Sequence, residues 1–346
     1  MIMKIYRHIF PAIIALAFTT NVLSQQGGST TYDFLTFPNS ARIGSLGGNQ
    51  VGLYDNDLNL LFHNPGMLSD SMDNQLVINY VPMVAGINWG FFGYARHLNN
   101  IGTLAIGIHN INYGNFKRTN EFDEDLGIFK AAEYAILLSY SKKLSKNLIG
   151  GITFKPIISQ FENYNSFALA SDIGFSYRSN SQLFSAGIVL KNIGSQITAY
   201  DGIEEKLPTD LQVGFSNKLA HAPFRFSFTF QGLLEWDLNY QLETPENGST
   251  LNIEDPKKIK PFDNLMRHTV FGLEFLPFKN FYIAMGYNHR IRQELKLEEK
   301  ASTVGYSWGF GFRVYKFNFA YGSARYNIAG SSNYFSLTTN LSKFGL

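Results

Sequence analysis

Histidines and carboxylates are the first side chains to weigh for chemistry. Of seven histidines, six lie beyond the apolar leader: His63, His97, His109, His221, His268 and His289. No pair has an HExxH or other ligand spacing, so no metal centre is expected. On an alternating strand, His97 or His109 is expected to face a polar interior. Asp55 and Asp57 in "GNQVGLYDNDLN" have the spacing of a calcium loop. They lack its glycine and distal glutamate, so a turn or cap fits them better. Serines are many but carry no nucleophile motif; a Ser–His pair across neighbouring strands is the one hydrolytic option left. There is no cysteine, hence no disulfide, thiolate site or lipidated cysteine. Neither a catalytic residue nor a cofactor is expected. Two charged stretches remain, "EFDEDLG" from Glu121 and "EDPKKIKPFD" around Lys257, Lys258 and Lys260. They read as solvated loop tips or as a docking rim.

The elements that carry these residues follow from composition. Charged residues make up 16% of the 346 residues, below the roughly 25% of ordinary soluble domains. Aromatics make up 15%, with 31 Phe and 19 Tyr, yet mean hydropathy is only −0.09. A barrel with lipid-facing and lumen-facing residues in alternation, girdled by aromatics, combines these values. A net charge of +2 is too mild to imply nucleic acid. Residues 1–24 have Lys4 and Arg7, an apolar run from Ile9 to Phe18, then small residues up to Ser24. That order predicts a cleaved signal peptide, the run being too short for a spanning helix.

From about residue 74 the pattern has period two. Leu104, Ile106 and Ile108 oppose Thr103, Ala105, Gly107 and His109; Phe184, Ile188 and Leu190 oppose Ser185, Gly187 and Lys191. In "GINWGFFGYARHL", Ile87, Trp89 and Phe91 share a face. Large apolar residues are expected outward and small or polar ones inward. About fourteen segments begin near 74, 84, 101, 130, 147, 165, 182, 209, 223, 265, 280, 300, 316 and 331. Links after even segments are short, and most after odd segments are long, including 115–130, 193–208 and 241–264. Short turns on one rim and long loops on the other predict an antiparallel transmembrane barrel over 74–346 with both termini on the short-turn, periplasmic side.

Such a barrel is wide enough to leak. Residues 25–73 are rich in glycine and punctuated by apolar residues, and are expected to fold into the lumen as a hatch. Gly44, Gly47, Gly48 and Gly52 would allow close backbone approach to the wall. "DLNLLFHNPGML" is expected to form one short helical turn stopped at Pro65.

"FLTFPNSARIGSLGGN", with Arg42, Gly47 and Gly48, followed by "DNDLNLLFHNPGML", with Asn64 and Pro65, resembles the N-terminal segment of the PorV/PorQ family of FadL-like outer-membrane barrels. Later stretches such as "NQLVINYVPMVAGINWGFFGYARH" and "VLKNIGSQITAYDG" carry the resemblance along nearly the whole mature chain. FadL-like hatches typically read Asn-Pro-Ala; here Gly66 follows Asn64 and Pro65. The resemblance implies a non-enzymatic outer-membrane anchor of the type IX secretion system of Bacteroidetes. Its implied partners are a PorZ-like surface protein, through it PorU and PorV, and outer-membrane lipid and lipopolysaccharide. Loop length places the holding surface at 241–264 and 193–208, with Lys257, Lys258, Lys260 and Tyr200 as contacts. The rival is a FadL-like transporter of hydrophobic small molecules. It needs an apolar lumen, whereas inward positions read as Ser, Gly, Asn, Lys and Arg.

Overall fold

The computed structural model describes residues 30–238, 260–295, 303–327 and 330–345. The expected signal peptide lies outside the described residues. Fourteen antiparallel strands close into a barrel in which each pairs with its sequence neighbours and β1 pairs with β14. They are β1 (Gln75–Pro82), β2 (Asn88–Leu98), β3 (Gly102–Thr119), β4 (Asp125–Lys143), β5 (Leu148–Phe161), β6 (Tyr164–Arg178) and β7 (Phe184–Thr198). Then follow β8 (Asp210–Lys218), β9 (Phe224–Phe230), β10 (Thr269–Phe278), β11 (Phe281–Asn288), β12 (Tyr306–Val314), β13 (Phe317–Asn327) and β14 (Gly330–Asn340). Closure leaves no sheet edge along the wall, as a barrel in lipid requires.

Side chains alternate along the wall as the strand period demands. On β4, Tyr134, Ile136, Leu138 and Tyr140 point out, while Glu133, Ala135, Leu137, Ser139 and Ser141 are buried inside. Tyr134 and Tyr140 stand about 20 Å apart along the strand with the aliphatic pair between them. Tyr80, Tyr164 and Trp308 near one rim and Tyr177, Phe184 and Phe312 near the other are exposed in the same way.

Two expectations are corrected. Trp89 and Phe91 face the lumen, 3% and 2% exposed, because β2 sits in the register that turns odd positions inward. A shift of one residue reverses every face of a strand. The expected loop 115–130 is mostly strand, with only residues 120–124 lying between β3 and β4. The N-terminus, expected on the short-turn side, lies outside the described residues, and the first described residue sits on the other rim. Thr30 bridges Lys206 in the loop between β7 and β8, on the long-loop rim, and the Thr31 amide donates to the Lys206 carbonyl at 2.9 Å.

The short helices are α1 (Ala41–Ser45) before the barrel, α2 (Pro261–Arg267) between β9 and β10, and α3 (His289–Leu295) after β11. The "DLNLLFHNPGML" stretch makes a 3-10 turn at Leu58–Phe62, capped by the Asp57 carboxylate, and a second at Pro65–Met67.

Candidate functional site

Residues 30–72 pack against the wall's inward faces and are mostly buried. The path runs around the interior. Phe34 stacks on His109 of β3, the Trp89 indole of β2 donates to the Pro38 carbonyl, and the Ala41 amide donates to Ser336 of β14. The Gly47 amide donates to Ser307 of β12, Val51 to Thr229 of β9, and Tyr54 to Ser185 of β7. The chain then recrosses: the Leu58 amide meets Gln75 of β1, Asn64 reaches the Phe175 carbonyl of β6, and Ser141 of β4 donates to the Leu68 carbonyl. A backbone with so little regular structure leaves many peptide groups without internal partners, and buried ones must find them. Inward serines and threonines supply them.

Glycines on the wall complete the fit. A Cβ on Gly187 would lie 2.1 Å from the Val51 carbonyl oxygen, and one on Gly286 would lie 2.1 Å from the Gly47 amide. The same holds for Gly151 against Pro65 and Gly322 against Ala41. The wall glycines come as cross-strand neighbours, Gly151 with Gly174, Gly187 with Gly214, Gly272 with Gly286 and Gly309 with Gly322. They form a backbone-lined groove in which the N-terminal segment lies.

Arg42 on α1 is the electrostatic centre. Its guanidinium bonds Glu274 of β10 at 2.9 Å, Asp55 at 2.8 Å and Asp57 at 3.1 Å. Arg225 of β9 joins them, 2.7 Å from Glu274 and 3.0 Å from Asp55. Asp55 and Asp57 are thus arginine ligands rather than calcium ligands, and no metal-binding group occurs among the described residues. Gly47 and Gly48 follow α1 with φ of 91° and 96°, a backbone that favours glycine, and the Gly48 amide donates back to the Ile43 carbonyl. Asn64 caps the Pro65–Met67 turn by accepting from the Gly66 amide at 2.8 Å, while its amide group donates to β6. Gly66 also has a steric reason: a Cβ there would sit 2.8 Å from the Phe175 backbone. Alanine at this position does not fit the wall as it stands.

The lumen is two-sided. Inner faces of β1–β4 carry Val77, Val81, Trp89, Phe91, Ala95, Ala105, Ile111, Ala135 and Leu137, packed with Phe34, Leu35, Leu61 and Phe62. His109 lies within this apolar sector, its ring beside Phe34, Phe62 and Phe91, which corrects its expected polar surroundings. The opposite wall carries Gln212, Arg225, Thr229, Glu274, Asn288 and Ser307. The reading of a lumen lined by small and polar residues therefore holds for β8–β12, Val270 apart, but not for β1–β4. The register of β2 brings Trp89 and Phe91 inside, and Val77, Val81, Ile111 and Leu137 add apolar inward positions on β1, β3 and β4.

Of the expected loop contacts, Lys257 and Lys258 lie outside the described residues. Lys260 is exposed at the start of α2. Tyr200 is half-buried at the long-loop mouth, its ring near Tyr32 and Phe161 and its hydroxyl donating to Ser159. Burial pushes that hydroxyl up to about 12. No contact joins Tyr200 to Lys260 among the described residues. Above β9–β12, Asp263 of α2 bonds His289 of α3 at 2.8 Å and Arg267 at 2.9 Å. Although burial opposes it, these hydrogen bonds hold the Asp263 carboxyl below its ordinary range. Sequence reading missed Arg225, Glu274 and the wall glycines. Their only signals were a lone charge and small residues on otherwise apolar strands.

No protein-family model and no curated protein matches the sequence. Solved structures do. The Pseudomonas putida toluene transporter TodX is similar with a TM-score of 0.52 and 11% identity, over 88% of this chain and 99% of that one. The CymD monoaromatic hydrocarbon channel gives 0.51 and 12%, over 88% and 98%. A Pseudomonas aeruginosa FadL homologue gives 0.45 and 12%, over 87% and 98%. At this identity the likeness is one of fold. The chain is a closed 14-strand antiparallel barrel with the fold of the TodX and CymD channels.

Proposed function

We propose that the chain is an outer-membrane barrel, plugged by residues 30–72, that admits small hydrophobic molecules between plug and wall. The observation that carries this is the apolar sector of the lumen, where Trp89, Phe91 and His109 meet Phe34 and Phe62. A displacement of the plug there uncovers aromatic surface, while the Arg42 cluster tethers the opposite side. The exposed apolar band between aromatic rims supports membrane insertion, and the fold is that of channels described as carrying monoaromatic hydrocarbons. The activity this reading assigns is binding and passage, without covalent chemistry. Quenching of Trp89 fluorescence by bromobenzene tests the site, with Trp89→Phe subtracting the signal of Trp236 and Trp308. Saturable quenching is expected; a purely linear response means that the apolar sector takes no ligand.

A second reading is an anchoring subunit of type IX secretion that holds a PorZ-like surface protein, and through it PorU and PorV, beside lipopolysaccharide. It is supported by the sequence resemblance and by the long link between β9 and β10. Mild-detergent extraction separates the two readings. A stoichiometric surface protein, lost on shortening residues 241–264, favours the anchor, and a lone barrel carrying an apolar molecule favours the channel.

A further inference from the structure

The hairpin made by β3 and β4 outreaches the wall around it. β2 pairs with β3 only as far as Asn112, and β5 pairs with β4 only as far as Ala131. Beyond those points Asn115 faces Lys130, Phe116 faces Phe129, Lys117 faces Ile128 and Thr119 faces Asp125, with neither outer edge in a ladder. Exposed edges of this kind are ordinarily shortened, covered or broken up. Here the ribbon instead carries exposed apolar side chains. Phe122 at the tip is 82% exposed, Ile128 70% and Leu126 54%.

The ribbon is also built to hold its shape. The Asn120 carboxamide oxygen accepts from the Phe122 and Glu124 amides at 3.0 Å each, and its amide group donates to the Glu124 carboxylate. Phe116 and Phe129 stack at 5.1 Å. At the base, Arg118 pairs with Glu162, whose amide donates to the Lys130 carbonyl. Order already present in the free protein lowers the entropy lost on binding.

We propose that this hairpin is a docking arm for a protein that offers a basic-rimmed apolar cleft to Phe122. Charge chooses between a protein and the membrane. Glu121, Asp123, Glu124 and Asp125 surround Phe122, all exposed. Four carboxylates in five residues are repelled by the phosphates of an anionic outer leaflet and attracted by a basic protein surface. Height agrees. Ile128 lies six residues beyond Tyr134 on the same face of β4, about 20 Å further along the strand, above the aromatic rim. The inference goes beyond channel activity and rests on the outer-membrane reading.

The test uses the full chain in nanodiscs with and without lipopolysaccharide. Phe122→Trp serves as reporter, and an amphipathic peptide of alternating Lys and Val as the basic, apolar probe. A blue shift on adding peptide supports the arm if binding weakens at least about tenfold on raising salt or on reversing the four carboxylates to lysine. The same shift without peptide, in either nanodisc, assigns the tip to lipid and overturns the proposal. A shift that depends only on protein concentration assigns it to a second copy and also overturns it, as does no response to peptide. Heat-modifiable gel migration of each variant reports the barrel separately. Failure to insert therefore counts against the outer-membrane reading and not against the arm.

Discussion

Arg42 shows how much one side chain inside the barrel can decide. Its three carboxylate partners and Arg225 form one largely buried cluster, so removing the guanidinium leaves three carboxylates around Arg225 alone and takes the ion pair from Asp57. Breaking a buried pair in this way costs about 3–5 kcal/mol. Arg42→Ala is therefore expected to unseat the N-terminal segment on the β9–β10 side, read as frequent conductance steps in planar bilayers where the parent protein is quiet. Asp55→Asn is expected to be milder, because Asp55 is 37% exposed and Asp57 and Glu274 remain. The wall glycines make a steric prediction at the same scale. Gly187→Ala and Gly286→Ala each place a methyl about 2 Å from backbone of the segment. Overpacking of this kind costs about 1–3 kcal/mol, measurable as a lowered midpoint of thermal unfolding in detergent.

At the scale of elements, the wall is uneven. β3 and β4 run to 18 and 19 residues, while β9 has 7 and β11 has 8, against the roughly 9–11 residues that span a bilayer. Over the low side, Asp263 of α2 bonds His289 of α3 while Arg267 holds it from within α2. The Asp263 carboxyl is lowered in the folded state, so its stabilising contribution is complete above the ordinary carboxylate pKa. It is lost as pH falls through the lowered folded value. Acidification below that value is expected to expose α2 and α3 to limited proteolysis, and Asp263→Asn should show the same cleavage at neutral pH. Unchanged cleavage in both cases would mean that packing, not this pair, holds the two helices.

For the whole molecule, the barrel and the segment inside it are expected to behave as separable parts. The wall's hydrogen bonds are complete without residues 30–72, since every strand pairs on both sides. Deleting residues 30–70 should leave heat-modifiable migration intact and raise ion conductance. Unchanged conductance would assign closure of the lumen to the loops. The route of the segment adds a topological expectation. With Thr30 beside Lys206, an epitope placed just before Thr30 in the mature chain should be reached by antibody from the long-loop side. On intact cells the outer-membrane reading makes that the outside.

The sequence alone determined the strand count and the pairing of neighbours, because these follow from local period and turn chemistry. Of the links expected to be long, those after β7, β9 and β11 are long, whereas those after β3 and β5 are short turns. Starts expected near 147, 165, 209 and 223 lie within one residue of β5, β6, β8 and β9. It also pointed to the glycines after α1 and to Asn64 and Pro65 as special. Tertiary structure decided what local pattern leaves open. Which face of β2 turns inward is a global property, since Trp89 and Phe91 are apolar enough for lipid or for a packed lumen and only the closed register chooses. The Arg42 cluster joins positions more than 200 residues apart, and no spacing rule links a helix in the N-terminal segment to a charge on β10. The glycine groove is likewise invisible strand by strand. Each glycine reads as a small inward residue until closure sets them in cross-strand pairs around a backbone that passes within contact distance of the wall.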